Sequence, residues 1–412
     1  MFLVKREYFN KTYIIKGLIS ALFFSAFIYL SHFGIEYKII NTILGLLSLY
    51  LVLKIERKSL FYTGFFIGIF WFYWVGNSFE YYGVGYLYPL IVLAFGLGYG
   101  VLFFLSAIYD KTYFRAVILF LFSFIHPFGF NWFIPELIFI DSYFPITKEF
   151  FALVLISILM FIELKPKLKV LALLPFAFMF FQEKQIELIN EPKIDIAMPQ
   201  LNIPQDFKWQ KKNLSNVIEK NLVLIENAIL EKKELIILPE TVFPILLNED
   251  EFLMEKLFEF SYHIDIVAGS LYLENNQFYN ATYYFSKGKY QVAKKVVLVP
   301  FGEEIPLPKI FVDLINDIFY NGAEDYKKAD KPTDFEIKGI KFRNAICYEA
   351  TSEEIYQNLG DIRYVIATSN NAWFTPSIEP TLQKLLIKYY AKKYNVMVFH
   401  SINKSANYII KP

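Results

Sequence analysis

Lys295-Val296-Val297-Leu298-Val299-Pro300-Phe301-Gly302-Glu303 joins an apolar run to a turn, with a cation at one end and a carboxylate at the other. The preceding segment, Tyr290–Val297, alternates like a strand, and Pro300 and Gly302 break the pattern after it. The segment therefore sets a lysine at the end of a strand, beside a loop. Two other stretches do the same with different chemistry. Leu235–Leu238 is a short buried strand that runs into Pro239-Glu240, and Phe342–Ile346 is another that runs into Cys347. Three reactive residue types thus fall at strand ends, and loops carried by a rigid sheet are where catalytic groups gather.

Beyond these three stretches, the strand pattern extends over the whole second half of the chain. Lys193–Met198, Ile266–Tyr272, Tyr279–Phe285, Tyr364–Thr368, Val396–Ser401 and Asn407–Ile410 read as strands. Asp206–Lys232 reads as a helix with Leu214, Ile218, Leu222, Ile225 and Ile229 on one face. Strands interleaved with helices predict an α/β sandwich over residues 183–412.

Residues 1–182 are different in kind. A helix needs about 20 apolar residues to cross a hydrocarbon layer of about 30 Å. Tyr13–Leu30, Tyr37–Ile55, Leu60–Ser78, Leu87–Tyr109, Tyr113–Phe133, Phe150–Leu164 and Leu168–Phe181 are candidate spans, which predicts a transmembrane bundle of about seven helices. The last two are short enough to fit buried core helices as well. The basic start, Lys5, Arg6, Lys11 and Lys16, has no small-residue cleavage site after it, so it reads as a retained first helix. Positive charge recurs in every second loop: Lys54, Arg57 and Lys58, then Lys111 and Arg115, then Lys165, Lys167 and Lys169. Ser31–Glu36 and Asn77–Tyr86 carry none. Because basic loops stay cytoplasmic, the amino terminus is expected in the cytosol and residues 183–412 in the periplasm. Gly96, Gly98 and Gly100 sit inside an apolar helix, where close helix packing explains them better than a nucleotide. Trp71, Trp74, Tyr81 and Tyr82 suggest an aromatic belt, and Pro127, Pro135 and Pro145 a re-entrant or interfacial segment. A net charge of +1 gives no footprint for nucleic acid. The single cysteine excludes an internal disulfide, and four scattered histidines lack metal-ligand spacing, so neither metal nor cofactor is implied.

A thiol attacks as thiolate, so it needs a base or a cation beside it. A carboxylate can take its proton, and an ammonium can stabilise both the thiolate and the oxyanion on an attacked carbonyl. Glu240, Lys295 and Cys347 could supply these roles. Read singly, however, Cys347 fits a buried small hydrophobe, Lys295 a solvated strand residue and Glu240 a turn residue.

Together these residues resemble the nitrilase superfamily, and within it the apolipoprotein N-acyltransferase family. Leu238-Pro239-Glu240, the Lys295–Glu303 run and Ile346-Cys347-Tyr348-Glu349 are similar to its three motif segments. Pro199–Gln205 with Lys208-Trp209, and Ser369-Asn370-Asn371-Ala372-Trp373-Phe374, resemble its flanking runs. The resemblance implies an αββα sandwich behind a membrane bundle, with Glu240, Lys295 and Cys347 catalytic. A phospholipid would be the acyl donor, a cysteine thioester the intermediate, and the α-amine of a diacylglyceryl apolipoprotein the acceptor, in a bacterial inner membrane. Glu303, Glu349 and Tyr348 resemble supporting residues, although Glu303 fits a purely structural role in the turn equally well. Trp209, Asn280 and Trp373 are candidates for substrate contact. The family implies a last membrane helix, whereas this sequence ends at Pro412 after a strand; Asn371 stands where Asp is common, and His400–Ser405 diverges. A membrane-tethered amidase for a small amide uses the same three residues. A transporter or receptor with an inactive sandwich would have no reason to keep all three.

Overall fold

The computed structural model describes residues 11–182, 188–306 and 326–412; Lys5, Arg6 and the expected boundary at residue 183 lie outside these. The chain divides into two compact units, one within Met1–His126, Asn131–Gln185 and Pro376–Tyr389, the other within Pro127–Phe130, Ile186–Thr375 and Tyr390–Pro412. The division is interleaved, so neither unit is a simple half of the sequence.

The first unit is helical, with α1 (Lys11–His32), α2 (Lys38–Lys54), α3 (Arg57–Phe72), α4 (Tyr88–Leu105), α5 (Thr112–Leu121), α6 (Lys148–Glu163) and α7 (Leu174–Gln182). Its helices are apolar on the outside as well as in the core, and the core admits small polar residues. Leu90, Leu93, Leu97, Val101 and Leu105 form an exposed stripe along α4, while Ser20, Ser25, Asn41, Ser48, Ser59 and Thr63 are buried. Continuous apolar surface of this kind suits a hydrocarbon solvent, in which helices associate through small residues and close packing. The glycines supply that closeness. A Cβ on Gly64 would lie 2.2 Å from the Tyr99 carbonyl oxygen, and one on Gly68 2.4 Å from that of Phe95, so α3 and α4 meet backbone to backbone. Gly96 and Gly100 admit the rings of Phe65 and Phe61.

Among the described residues, three helical stretches are long and apolar enough to cross a membrane: Lys11–His32, Arg57–Tyr81 and Gly85–Leu105. The fifth expected span is shorter than its apolar run. α5 ends at Leu121, followed by a 3-10 turn to Phe124, because Pro127 and the left-handed Phe128 and Gly129 cannot continue a helix. The chain beyond it is enclosed by protein: Trp132–Asp141 is buried, with Glu136 accepting from Ser123 Oγ at 2.6 Å and from Tyr389 Oη at 3.0 Å. Trp71 and Trp74 are core residues rather than belt residues, since the Trp71 indole donates to Ser25 Oγ at 3.1 Å; Tyr81 and Tyr82 are exposed. Arg115, expected in a basic loop, is buried and donates to the carbonyls of Leu53 and Ile55 past the end of α2.

The second unit is a two-sheet sandwich. One sheet contains β1 (Ile196–Ala197), β2 (Leu235–Ile237), β3 (Phe243–Leu246), β4 (Asp265–Glu274), β5 (Gln277–Ser286) and β6 (Lys289–Lys294), in the order β1-β2-β4-β5-β6 with β3 also pairing β4. The other has β7 (Asp334–Ile337), β8 (Ile340–Ile346), β9 (Tyr364–Asn370), β10 (Met397–Asn403) and β11 (Tyr408–Ile410), in the order β11-β10-β9-β8-β7. The period of two divides each strand between two cores. Leu235, Ile237, Val267 and Tyr284 meet Phe342, Ile366 and Phe399 in one cluster. The alternate residues Ile236, Ile266, Ala268 and Phe285 pack with helix residues Ile225, Leu253 and Leu257 in another. β2 is parallel to β4, and β5 is antiparallel to both β4 and β6. β2, β4 and β6 therefore run the same way, and the segments after β2 and β6 leave at one edge.

The expected helix over Asp206–Lys232 is broken into α8 (Gln205–Lys208), a 3-10 turn and α9 (Leu214–Leu230). The apolar periodicity belongs to α9 alone, because Lys208 turns inward. The helix α10 (Glu251–Ser261) and the strands β3 and β7 also belong to this unit, whereas α11 (Glu379–Tyr394) lies mostly in the first.

Gly64→Val should force α3 and α4 apart and destabilise the protein by about 1–3 kcal/mol. Thermal unfolding in detergent should register the loss, whereas Gly98→Ala, with nothing within 4 Å of its Cβ, should melt near wild type.

Candidate active site

Glu240 and Lys295 emerge at the shared sheet edge, and Asn280, near the start of the antiparallel β5, arrives there too. Lys295 Nζ lies 3.8 Å from Glu240 Oε1 and 2.7 Å from Glu303 Oε2. The Asn280 amide donates to Glu240 Oε1 at 2.8 Å and to Glu303 Oε1 at 3.3 Å. The second Glu240 oxygen accepts from the backbone N–H of Asn370 at 2.9 Å. Burial alone would pull Lys295 down, but the charges of Glu303, Glu240 and Cys347 outweigh it and hold its pKa above the ordinary lysine value. Lys295 is a permanent cation at neutral pH.

Cys347 is the first residue past β8 and starts a 3-10 turn over Cys347–Thr351. Its φ of 53° lies in the left-handed region, which a non-glycine residue occupies only when its surroundings force it. The side chain is half-buried and within electrostatic reach of Lys295 and Lys208. The elbow is fixed by Glu349, whose carboxylate accepts from the N–H groups of Ile346 at 2.7 Å, Val296 at 2.8 Å and Val297 at 3.2 Å. One side chain thereby ties the cysteine turn to the segment after Lys295. Burial pushes its pKa up to about 7, against the pull of Lys295 and these three donors.

Glu303 fills both roles that its position in the turn allows. It bonds Lys295 and also accepts from Val299 N at 2.9 Å, which closes the loop through Pro300 and Gly302. Tyr348 donates to the Gly129 carbonyl at 3.0 Å and stacks on Phe130. Trp209 is 42% exposed just past α8, and Trp373 is half-buried in the turn after β9.

Sequence reasoning missed two participants. Asn370 contributes through its backbone, which no side-chain pattern reveals. Lys208 was legible only as part of a run ending in Trp209, yet it is 1% exposed and donates to the Glu240 carbonyl at 3.1 Å and to Thr241 Oγ1 at 2.6 Å.

Residues 11–182 match the apolipoprotein N-acyltransferase integral membrane domain, and residues 195–400 match the carbon-nitrogen hydrolase domain. The protein is therefore of the class that joins a carbon-nitrogen hydrolase sandwich to an integral membrane domain. A protein named apolipoprotein N-acyltransferase from Wolinella succinogenes is 44% identical over 96% of this chain and 95% of its own length. Those of Helicobacter pylori and Campylobacter jejuni are each 38% identical, over 90% and 97% of this chain and 88% and 90% of theirs. The chain belongs to the apolipoprotein N-acyltransferase family. Among solved structures, a CN-hydrolase superfamily protein from Xanthomonas campestris is similar at 16% identity and a TM-score of 0.40, covering 52% of this chain and 77% of that one.

Glu349→Ala should strand three backbone donors at once. A single buried unsatisfied donor costs about 1–3 kcal/mol, so the variant should melt well below wild type and react more slowly with thiol reagents at Cys347; a wild-type melting curve would mean that Glu349 does not hold the elbow.

Proposed function

We propose that this chain transfers a fatty acyl group from a membrane phospholipid, through a thioester on Cys347, to the α-amine of the diacylglyceryl-cysteine that begins an apolipoprotein. The observation that carries the reading is the convergence of an acid and a permanent cation, 3.8 Å apart, on the neighbourhood of a half-buried cysteine in a chain of this family.

Glu240 takes the proton of Cys347, and the thiolate attacks the ester carbonyl of the donor. Negative charge then develops on the carbonyl oxygen, where Lys295 is already positioned to stabilise it without reorganising solvent. Collapse expels the lysophospholipid alkoxide, which takes the proton from Glu240 and leaves the thioester. The acceptor amine attacks that thioester, gives a proton to Glu240, and releases Cys347 as thiolate. Splitting the transfer into two displacements lets one site serve two lipid-anchored substrates in turn. The exposed apolar stripe of the helical unit supports delivery of both from the lipid phase. The alternation of basic loops supports a catalytic domain on the periplasmic side of the inner membrane.

Cys347→Ala should abolish transfer and Cys347→Ser nearly so, as read by mass spectrometry of a lipoprotein's amino-terminal peptide; continued N-acylation by either variant would exclude the thioester. With radiolabelled phospholipid the wild-type protein should retain label that neutral hydroxylamine releases. For orientation, alkaline phosphatase fused after Pro412 should be active in intact cells, and inactive fusions would put the catalytic domain in the cytosol.

A further inference from the structure

α8 is only four residues long, but both of its ends are buried, Gln205 at 3% and Lys208 at 1% exposure. A buried ammonium is costly unless its N–H groups find partners. Those partners belong to the turn that bears Glu240: its own carbonyl oxygen and the hydroxyl of Thr241. That turn is strained, with Thr241 at a φ of 44°, which disfavours a β-branched residue. It is also pressed from beneath. A Cβ on Gly269 of β4 would fall 2.5 Å from Thr241 N and 2.7 Å from Glu240 Cα, so the turn rests directly on strand backbone. Lys208 bonds the same turn. At the other end of α8, Gln205 Oε1 accepts from the Asn370 side chain at 2.7 Å, and the Asn370 backbone N–H holds the Glu240 carboxylate. Asn403 completes the chain by donating to Asn370 Oδ1 at 2.8 Å. One short helix therefore grips Glu240 twice, at its backbone through Lys208 and at its carboxylate through Asn370.

We propose that Lys208 is a positioning residue for acyl transfer, locking the Glu240–Thr241 turn so that the Glu240 carboxylate is aimed at Cys347. The role rests on Glu240 acting as the base toward Cys347. It differs from that of Lys295. Among the described residues, the hydrogen bonds of Lys208 go to a carbonyl and a hydroxyl, which hold geometry rather than neutralise charge. The proton affinities agree with the geometry: burial takes Lys208 down to about 7, because the charges of Glu240 and Cys347 compensate it only in part.

The test uses the full chain in phospholipid nanodiscs, with thioester formation followed in a single turnover from labelled phospholipid. Lys208→Met keeps the stem and removes the donors. Its acylation rate constant is expected to fall about 10- to 100-fold, as when the support of a reacting group is lost, with the donor KM within about twofold and the burst amplitude retained. A merely structural role would do the opposite, reducing the burst amplitude while leaving the rate constant unchanged, and that result would overturn the proposal. If Lys208→Met does not fold, Thr241→Ala against Thr241→Ser decides. Removing the hydroxyl should slow acylation several-fold, and the serine variant, which restores the acceptor, should lie much closer to wild type; equal rates in the two would overturn the proposal. Transfer that persists in Cys347→Ala would instead sink the thioester reading, so the two failures are distinguishable.

Discussion

The side chain of Lys295 is 0% exposed and charged, and a cation removed from water has to be compensated locally. At an effective dielectric of about 20, one carboxylate at the 3.8 Å of Glu240 contributes about 4 kcal/mol. That is comparable with the several kcal/mol it costs to desolvate an ion, so it leaves no margin. Glu303, at 2.7 Å, tips the balance. With two acids present the lysine stays charged, but the acids themselves then require support, and the Asn280 amide that bonds both of them supplies part of it. The site is thus a closed set in which each member is tolerable only because the others are there.

The sandwich topology makes this set possible. Because β2 and β6 run in the same direction and β5 runs against both, the Glu240 turn, Lys295 and Asn280 converge on one edge of a single sheet. Cys347 comes from the other sheet, and Glu349 bonds across to Val296 and Val297 on the segment that follows Lys295. The cysteine turn from one sheet is thereby registered against an acid and a cation from the other by hydrogen bonds of 2.8 and 3.2 Å. The inter-sheet core of Leu235, Val267, Phe342 and Phe399 sets the separation that those bonds assume.

The parts of this arrangement that were legible in sequence are those written in local pattern. Leu235–Leu238 and Phe342–Ile346 are largely apolar and bounded by polar residues, so their ends, and with them Glu240 and Cys347, could be located without a structure. Glycine spacing on α4 likewise foretold close packing. Burial that contradicts residue type was not legible. Trp71 and Trp74 have the amphipathic rings of belt residues, and only the tertiary fold shows Trp71 capping the buried Ser25. Lys208 ends a short polar helix and would pass for a solvated charge; the Glu240 turn it binds is distant in sequence. Two departures from the family pattern also turn out to be one feature, since Asn371 donates to Ser405 Oγ at 3.1 Å. An amide where an acid is common still finds a partner because the diverged His400–Ser405 segment offers a hydroxyl.

A buried active site that moves a proton faces a further constraint, because any step that changes its net charge must reorganise a medium that responds weakly. In the proposed reaction, moving the proton from Cys347 to Glu240 leaves the total charge of the cluster unaltered and shifts only its centre. Lys295 interacts with both ends of that shift, being coupled to Glu240 and to Cys347 alike. In the proposed reaction it therefore exchanges attraction to the carboxylate for attraction to the sulfur. Lys208 faces the same two groups. In either protonation state the negative charge keeps Lys295 within electrostatic reach. A thiol that serves as nucleophile in one half of the proposed reaction and as leaving group in the other needs its anion supported in both.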